Sequence, residues 1–409
     1  MRMLYSLSIV SYGLLIRIVS LFNKKAKQWI KGRQNVFQEI EGDLRHNKSP
    51  LVWFHAASLG EFEQGRPVIE SFKKQFPECK ILLTFFSPSG YEVQKNYSGA
   101  DFIYYLPLDT RKNAKRFVSI VKPKTAFFIK YEFWRNYFEV LREADIPLIS
   151  FSTIFRKDQV YFKRDGFNRA TLKLVDYFFV QNHLSGDLLN TIGLQNWEKA
   201  GDTRFDRVLA LRTQRQDFEE IEQFKGESKL FVVGSSWKED LDVLLDYINK
   251  GDVKFLIAPH EINISEIKKF QEQLRCHSVL FSELSELKAE TKVVIVDSIG
   301  KLSSLYQYAD FAFIGGAYRT GLHNVLEPAT YGVPLFFGPK YQKFQEAVDL
   351  IERKGAFCVT SSNEFQSQVN RLLNDDELYS KTVDTTQNYV TENVGATDKI
   401  IGYCRKMKL

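Results

Sequence analysis

The sequence has few cysteines and lacks the common short motifs for binding metal ions or phosphate. Its 409 residues include four scattered cysteines, Cys79, Cys276, Cys358 and Cys404, and none forms a Cys-x-x-Cys pair. This spacing argues against a disulfide framework or a common zinc site, and favours reduced, structural cysteines in a cytosol-facing protein. Neither Gly-x-x-x-x-Gly-Lys-Ser/Thr nor His-Glu-x-x-His occurs. A P-loop and a dedicated metal are therefore not indicated.

No charge of one sign dominates the sequence. Lys and Arg number 56 against 50 for Asp and Glu, which leaves a net charge of +6. This excess is too small for a nucleic-acid-binding surface, and it favours acidic partners such as phosphates or an anionic membrane. A chain of this length, with ordinary apolar content and no repeats, predicts two folded domains.

The longest apolar run lies near the N-terminus. Residues 4–22 are interrupted mainly by serines and Arg17, and a basic cluster follows: Lys24, Lys25, Lys27, Lys31 and Arg33. Crossing a bilayer takes about 20 apolar residues, so the run only just qualifies, and Arg17 would be costly at the bilayer centre. We predict a membrane anchor over residues 1–33 with its cations on the cytoplasmic side. A helix lying in the interface and a buried helix are the alternatives. No small-residue cleavage site follows, which disfavours a removable signal peptide.

From residue 50 onward, short apolar strands alternate with helices. The predicted strands are residues 51–55, 81–85, 102–105, 125–129, 147–151 and 177–180, and then 229–233, 254–257, 293–296, 311–314 and 334–337. Such alternation predicts parallel sheets covered by helices on both faces. The predicted domains are residues 34–211 and 226–377, joined by a charged linker at 212–225. A helical segment at 378–409 can pack back across both domains.

The second domain is organised around residues 310–339, where a buried strand leads into Gly315 and Gly316. A helix is predicted to begin near His323. A glycine turn at the carboxyl end of a strand favours an anion, because free backbone N–H groups and the helix dipole meet there. Glu327 lies near the first turn of that helix, where it can accept hydrogen bonds from ribose hydroxyls. Close packing of strand and helix is the alternative role of the glycines.

Two carboxylates follow predicted strands of the first domain. Glu61, three residues after Ser58, starts a helix, where it either caps that helix or takes a proton from an attacking hydroxyl. Glu132 follows the strand at 125–129 and is predicted to project toward a cleft. An ion pair with Lys130 or Arg135 is its alternative role.

Arg204 is the candidate cation of the first domain. Its guanidinium suits a phosphate or a carboxylate. An ion pair with Asp202 or Asp206 is the alternative.

Three loops of the second domain have the chemistry of a phosphate site. Ser235 and Ser236 can hold a phosphate through N–H and hydroxyl groups, or act as an ordinary helix N-cap. His260 follows a strand and either donates to an anion or caps the next helix. The loop at residues 297–301 follows another strand in the same way.

Together these segments resemble the Kdo (3-deoxy-D-manno-octulosonic acid) transferases of lipid A synthesis in Gram-negative bacteria. The matching segments fall in order: His55-Ala-Ala-Ser-Leu-Gly-Glu61, Ser87-Pro-Ser-Gly90, Glu132-Phe-Trp134, Gly201-Asp-Thr-Arg-Phe-Asp206, Gly234-Ser-Ser236 and His323-Asn-Val-Leu-Glu-Pro-Ala329. The resemblance implies the α/β fold called GT-B, in which two Rossmann-like domains with parallel sheets face each other across a cleft, here preceded by the N-terminal anchor helix. It also implies inverting transfer of Kdo from CMP-Kdo to the disaccharide of a lipid A precursor, without a metal or cofactor, at the cytoplasmic side of the inner membrane.

The resemblance assigns roles at the matching positions. Glu61 matches the general base, and Glu132 and Arg204 match positions that stabilise the transition state. The predicted donor (CMP)-binding residues are Ser235, Ser236, Ala258, Pro259, His260, Ile299, Gly300, Lys301, Gly316, Asn324, Val325, Leu326 and Glu327. The predicted acceptor-binding residues are Ser58, Gly60, Ser87 and Ser89.

Some positions depart from the family pattern. The family often has Pro-Arg-His where this chain has Ala258-Pro-His260, so one phosphate-binding arginine is missing. Lys301 stands where an acid is usual. We hypothesise that Lys130 or Lys301 supplies the lost positive charge.

Two other functions remain open at the level of sequence. One is a GT-B transferase that uses a different nucleotide sugar, since a fold alone does not determine the substrate. The other is a non-catalytic, membrane-associated protein that binds a nucleotide or lipid. The expected partners are CMP-Kdo, a lipid A precursor and the membrane surface, with no nucleic acid.

Overall fold

The computed structural model describes residues 1–164, 166–319 and 321–407, which divide into two compact units. Unit 1 comprises Met1–Arg207 together with Val394–Leu409, and unit 2 comprises Val208–Asn393.

Unit 1 is built on a seven-stranded, wholly parallel sheet with the strand order β3-β2-β1-β4-β5-β6-β7. Its strands are β1 (Leu51–Ala56), β2 (Lys80–Phe85), β3 (Phe102–Tyr105), β4 (Thr125–Ile129), β5 (Leu148–Thr153), β6 (Tyr177–Val180) and β7 (Trp197–Lys199). The central strands β1, β4 and β5 are buried along their whole length, as expected for apolar runs covered on both faces. The strand order reverses between β1 and β4, which is where open α/β sheets bind ligands.

Helices cover both faces of this sheet. They are α1 (Arg2–Val19), α2 (Lys24–Lys31), α3 (Val36–Leu44), α4 (Leu59–Gln75), α5 (Pro88–Gln94), α6 (Arg111–Val121), α7 (Arg135–Glu143), α8 (Val160–Lys163), α9 (Phe167–Leu172), α10 (His183–Asn190) and α11 (Thr203–Thr213). Gly65 lets α4 pack closely on the sheet, because a Cβ there would lie 2.2 Å from Cδ1 of Ile129. Two apolar cores result, one on each face.

Unit 2 repeats this architecture with the strand order β10-β11-β9-β8-β12-β13-β14, again wholly parallel. Its strands are β8 (Leu230–Ser236), β9 (Lys254–Pro259), β10 (His277–Leu280), β11 (Thr291–Ile295), β12 (Phe311–Ile314), β13 (Leu335–Phe337) and β14 (Ala356–Cys358). Its helices are α12 (Glu219–Lys225), α13 (Lys238–Lys250), α14 (Ile264–Gln271), α15 (Leu302–Leu305), α16 (Leu326–Ala329), α17 (Gln345–Glu352), α18 (Ser362–Leu373) and α19 (Asp376–Asn393). Short 3-10 helices occupy Phe281–Glu286 and Tyr306–Tyr308. Here the strand order reverses between β8 and β12.

The end of the chain returns to unit 1. Helix α20 (Ala396–Lys406) buries Ile400, Ile401 and Cys404 in the apolar core beneath α4. The Asp206 carboxylate accepts hydrogen bonds from the backbone N–H groups of Gly395 at 2.6 Å and Thr397 at 2.7 Å. A carboxylate from α11 thus satisfies N–H groups that would be unpaired at the start of α20.

The segment predicted as a linker, residues 212–225, is largely structured. It contains the end of α11 and all of α12, whose Ile221 and Phe224 are buried in unit 2. The division into units falls earlier, after Arg207. The charged residues of α12 lie on its outer face, and their number made the sequence read as a linker although Ile221 and Phe224 are core positions.

Two other predicted elements differ from the structure. The helix expected near His323 is α16, which begins only at Leu326 and has four residues. Ser235 and Ser236 are the last residues of strand β8, and the N-cap of α13 is Trp237. The edge strands β7, β10 and β14 lie outside the predicted set, because they are only partly buried and their sequences form no clear apolar run.

Helix α1 lies along unit 1 and packs against it at several points. By length and composition it is apolar enough to cross a membrane. Tyr5 donates to the buried Asp109 carboxylate at 2.5 Å, and Arg2 pairs with the buried Glu139 at 2.8 Å. The Tyr12 ring stacks on Phe86 with centroids 6.1 Å apart. None of the residues of α1 is fully buried.

Candidate active site

Glu61 lies in the first turn of α4, directly after strand β1. Ser58 is the N-cap of this helix, and its hydroxyl donates a hydrogen bond to the Glu61 carboxylate. The serine three residues before a glutamate matches the sequence pattern of a capping box. Because β1 flanks the reversal of strand order, this turn places Glu61 at the ligand-binding edge of the sheet.

Glu132 lies in the loop after β4, the other strand that flanks the reversal. Trp134 Nε1 donates to its carboxylate at 3.0 Å, and Lys130 begins the loop with a left-handed backbone, φ 70°. Burial, and to a smaller extent the nearby charge of Glu61, raises the pKa of Glu132 from 4.5 to about 7, against opposing effects of Trp134 and Lys130. The predicted pair of carboxylates thus lies close enough to interact electrostatically, and the two have different surroundings.

Arg204 follows strand β7 at the start of α11. Its Nε and Nη2 both donate to Asp202, at 2.9 and 2.7 Å. The neighbouring Thr203 donates to the backbone carbonyl of Gln64, which attaches this segment to α4 one turn beyond Glu61. The pairing with Asp202 orients the guanidinium, and about 30% of its side chain remains exposed.

The predicted acceptor-binding serines belong to the loop between β2 and α5. The Ser87 backbone N–H donates to the carbonyl of Ala57 at 2.7 Å, so this loop is joined to the one that carries Glu61. The Ser87 hydroxyl lies 3.0 Å from that of Ser89 and caps α5. Gly60 is exposed, and a Cβ there would lie 3.8 Å from the Ser58 hydroxyl oxygen.

In unit 2, four side chains form a stack at the carboxyl ends of β8, β9 and β12. Arg319 lies 4.2 Å above the Trp237 ring, and Trp237 lies 4.6 Å from the His260 ring. His260 stacks on His323 with ring centroids 4.4 Å apart. Trp237 Nε1 donates to Nε2 of His323 at 3.2 Å. Burial, with a smaller contribution from His260, lowers the pKa of His323 to about 4, so this ring is neutral near pH 7.

Of this stack, the sequence predicted only His260 as a site residue. Trp237, Arg319 and His323 were missed, although each lies within or beside a segment that was singled out. Trp237 could have been predicted as a site residue because it directly follows Gly234-Ser-Ser236 at the end of a strand. The stacking itself brings together three loops that are distant in sequence.

The buried Asp240 connects the glycine turn to α13. Its carboxylate accepts from the backbone N–H of Trp237 at 2.8 Å and of Gly316 at 2.9 Å. A Cβ on Gly315 would lie 2.4 Å from the carbonyl oxygen of Ser235, and Gly316 has a φ of 95°. Both glycines are therefore required by packing and backbone conformation.

The remaining predicted donor-binding residues lie in three strand-end loops. Asn324 accepts from the Leu326 N–H at 3.1 Å and donates to the Glu327 carboxylate at 3.0 Å. Ile299 is 90% exposed and precedes Gly300, which has a left-handed backbone. The Lys301 amine lies 4.0 Å above the Phe281 ring. Ala258 and Pro259 are the last residues of strand β9, and Val325 is the N-cap of α16; none of the three has a polar side chain.

Among residues 1–164, 166–319 and 321–407, no group of three or more His, Cys, Asp and Glu side chains is arranged to hold a metal ion.

Two parallel seven-stranded sheets, each with polar side chains where its strand order reverses, define an α/β protein with the GT-B fold. Among solved structures, the UDP-GlcNAc 2-epimerase from Neisseria meningitidis aligns with a TM-score of 0.62 at 16% identity, covering 88% of this chain and 100% of that one. At this identity the similarity concerns the fold alone.

Sequence comparisons give the relationship. Residues 30–207 match the family described as 3-Deoxy-D-manno-octulosonic-acid transferase (kdotransferase). A 3-deoxy-D-manno-octulosonic acid transferase from Chlamydophila psittaci is 28% identical over 365 residues, covering 86% of this chain and 83% of that protein. The 3-deoxy-D-manno-octulosonic acid transferase from Aquifex aeolicus is 26% identical over 335 residues, covering 80% of this chain and 87% of that protein. The resemblance predicted from the motifs is confirmed, and the chain is a glycosyltransferase related to the Kdo transferases.

Proposed function

We propose that the protein transfers Kdo from CMP-Kdo to a hydroxyl of a lipid A precursor, in lipopolysaccharide biosynthesis. The observation that carries this proposal is the placement of Glu61 and Glu132 on the two strands that flank the strand-order reversal of unit 1. That unit is also the part of the chain that matches the Kdo transferase family. The reaction is proposed to need no metal and to take place at the cytoplasmic face of the inner membrane.

Glu61 is proposed to act as the general base. It takes the proton from the acceptor hydroxyl as that oxygen attacks the anomeric carbon of Kdo. The bond between the anomeric carbon and the phosphate oxygen breaks at the same time, its electron pair stays on the phosphate, and CMP leaves. A single displacement of this kind inverts the configuration at the anomeric carbon. The Ser58 hydroxyl supports this role because it orients the carboxylate.

Glu132 and Arg204 are proposed to stabilise the transition state. A proton held by Glu132 near neutral pH would leave the negative charge of the pair on Glu61, as the base requires. The Arg204 guanidinium, oriented by Asp202, is suited to offset the charge that grows on the departing phosphate.

Unit 2 is proposed to bind the CMP part of the donor. Asn324 and Glu327 are hydrogen-bonded to each other and offer groups for the ribose hydroxyls. Arg319, at the exposed end of the side-chain stack, is a third candidate for the missing phosphate-binding arginine, besides Lys130 and Lys301. The contact of Lys301 with the Phe281 ring partly occupies its amine.

The test is an assay of CMP release from CMP-Kdo with a lipid A precursor, with product mass analysis. Glu61→Gln is expected to lower kcat by about 10²–10⁴-fold, the usual contribution of a general base. Glu63→Gln is the matched control, since this carboxylate lies two residues away on α4 and pairs with Arg66 and Arg207. It should retain activity within a few-fold. Comparable CMP release by wild type and Glu61→Gln would remove Glu61 as the base.

A further inference from the structure

Two buried carboxylates of unit 1 hold the N-terminal end of α1. Tyr5 donates to Asp109, which also accepts from the backbone N–H groups of Asn136 at 3.2 Å and Tyr137 at 3.0 Å. Arg2 pairs with Glu139. If α1 crossed the bilayer, these two contacts would break, and the buried Asp109 carboxylate would lose its hydrogen bond from Tyr5. The structure therefore favours a helix that stays on the protein surface.

The side of α1 that faces away from unit 1 is apolar. Its exposed residues include Leu4, Leu7, Leu15 and Ile18; the exposed Phe22 and the basic cluster of α2 follow the helix. An exposed apolar helix face next to several lysines is the pattern of a helix lying in the membrane interface.

A groove of about 650 Å³ runs between α1 and the body of unit 1. Val10, Gly13 and Leu14 line it on the helix side, and Ile30, Phe37 and Leu108 line it on the other. Its volume lies within the usual range of ligand pockets, roughly 300–1,000 Å³. Apolar side chains form the larger part of the lining, which suits a hydrocarbon chain, and Arg17, Gln34 and Asn113 add polar groups to it.

On the protein side of this groove, Arg33 is held in place by several contacts. The Arg33 guanidinium donates to the carbonyls of Leu106 at 2.8 Å and Phe86 at 2.6 Å, and it lies 3.8 Å from the centre of the Trp29 ring. The groove thus has a fixed wall on the protein side, with α1 as its other wall.

Aromatic contacts connect α1 to the proposed active site. The Phe86 ring contacts Tyr12 of α1 and lies tilted against the Trp134 ring with centroids 4.7 Å apart, and Trp134 donates to the Glu132 carboxylate. These contacts join α1 to the loop that carries Glu132. This continuity with the proposed active site is the argument for the reacting lipid as the occupant of the groove.

We propose that the groove binds one acyl chain of the lipid acceptor while α1 lies in the plane of the membrane. The proposal rests on the proposed function, since it requires a lipid acceptor. It adds a binding site for the apolar part of that acceptor, formed jointly by α1 and unit 1. The enzyme would then take its acceptor directly from the bilayer, with the chain still in an apolar environment.

The test compares Leu14→Trp with Leu15→Trp in full-length protein, using acylated and fully deacylated acceptors. Both leucines are exposed, 54% and 60%, but only Leu14 lines the groove. Leu14→Trp is expected to raise KM for the acylated acceptor about 10-fold and to leave kcat/KM for the deacylated acceptor unchanged. Leu15→Trp should change neither value.

Three results would contradict the proposal that the groove binds an acyl chain of the acceptor. They are equal effects of the two variants, an equal loss by Leu14→Trp on both acceptors, and a wild-type KM that does not depend on acylation. Retention of a phospholipid by wild type but not by Leu14→Trp, with unchanged KM, would assign the groove to a structural lipid and contradict the proposal. Failure of the proposed function is distinct, because wild type would then release no CMP with either acceptor.

Discussion

At the scale of single residues, the two carboxylates of the candidate site illustrate what a sequence pattern can and cannot predict. Their positions after two strands were predictable, because each strand is a clear apolar run followed by a polar loop. The raised pKa of Glu132 was not predictable, since it depends on burial and on the proximity of Glu61. That proximity arises from the pairing of β1 with β4, two strands separated by some seventy residues of chain.

The pKa of Glu132 leads to a prediction about stability. Its folded-state value of about 7 lies above its ordinary value of 4.5, so between these values the folded protein binds the proton more tightly than the unfolded chain. The stabilising contribution of Glu132 to the free energy of unfolding is fully present below about pH 4.5 and is lost as the pH rises through 7. Wild type should therefore lose about 2 kcal/mol of unfolding free energy relative to Glu132→Gln between pH 5 and pH 8, allowing for partial solvent screening. Urea unfolding at several pH values measures this difference.

Two further variants test whether the charge of Glu61 contributes to this pH dependence. Glu61→Gln should reduce the pH dependence, because it removes the charge that adds to the shift. Glu63→Gln should leave it unchanged. A difference between wild type and Glu132→Gln that stays constant from pH 5 to pH 8 would show that Glu132 has no raised pKa.

At the scale of elements, strands that form clear apolar runs were predicted well, and partly buried edge strands were predicted poorly. The strands at 102–105, 125–129, 177–180 and 311–314 have the predicted limits. The edge strands β7, β10 and β14 and the helix α12 were missed, because their sequences form no clear apolar run and tertiary contacts decide that they become regular. The motif residue Asp206 also has its role decided by an element, since it caps α20 rather than pairing with Arg204.

This capping predicts how firmly α20 is attached to unit 1. Asp206→Ala removes two short hydrogen bonds to the N-terminus of α20 and should weaken its docking by about 2 kcal/mol. Hydrogen exchange of the backbone amides at residues 396–406 should then accelerate about 30-fold. Asp384→Ala, at an exposed position on the preceding helix α19, should leave that exchange as in wild type. Unchanged protection of α20 in Asp206→Ala would mean that its apolar contacts alone hold it.

At the scale of the whole molecule, the chain consists of two sheets of the same architecture with different strand-end chemistry. Unit 1 presents carboxylates, and unit 2 presents a stack of ring side chains and a glycine turn. This division is the basis for assigning the base to unit 1 and the nucleotide to unit 2.

The nucleotide assignment predicts which ligand stabilises the protein. CMP at 100 times its Kd should stabilise the folded state by about 2.7 kcal/mol, which corresponds to a rise in Tm of roughly 5–10 °C for a unit of this size. UDP at the same concentration should produce a much smaller rise. Calorimetry of the full chain measures both. A rise with UDP and none with CMP would reject CMP-Kdo as the donor and favour a different nucleotide sugar.

The sequence by itself determined the alternation of strands and helices, the apolar N-terminal helix and the order of the motifs, because these features are encoded in local runs of residues. Only the tertiary structure decided which residues meet: Glu61 with Glu132, Trp237 with His260 and His323, and Tyr5 with Asp109. The physical reason is that parallel strand order and crossover connections join loops far apart in the chain, and burial at those junctions sets the pKa and the packing of each side chain.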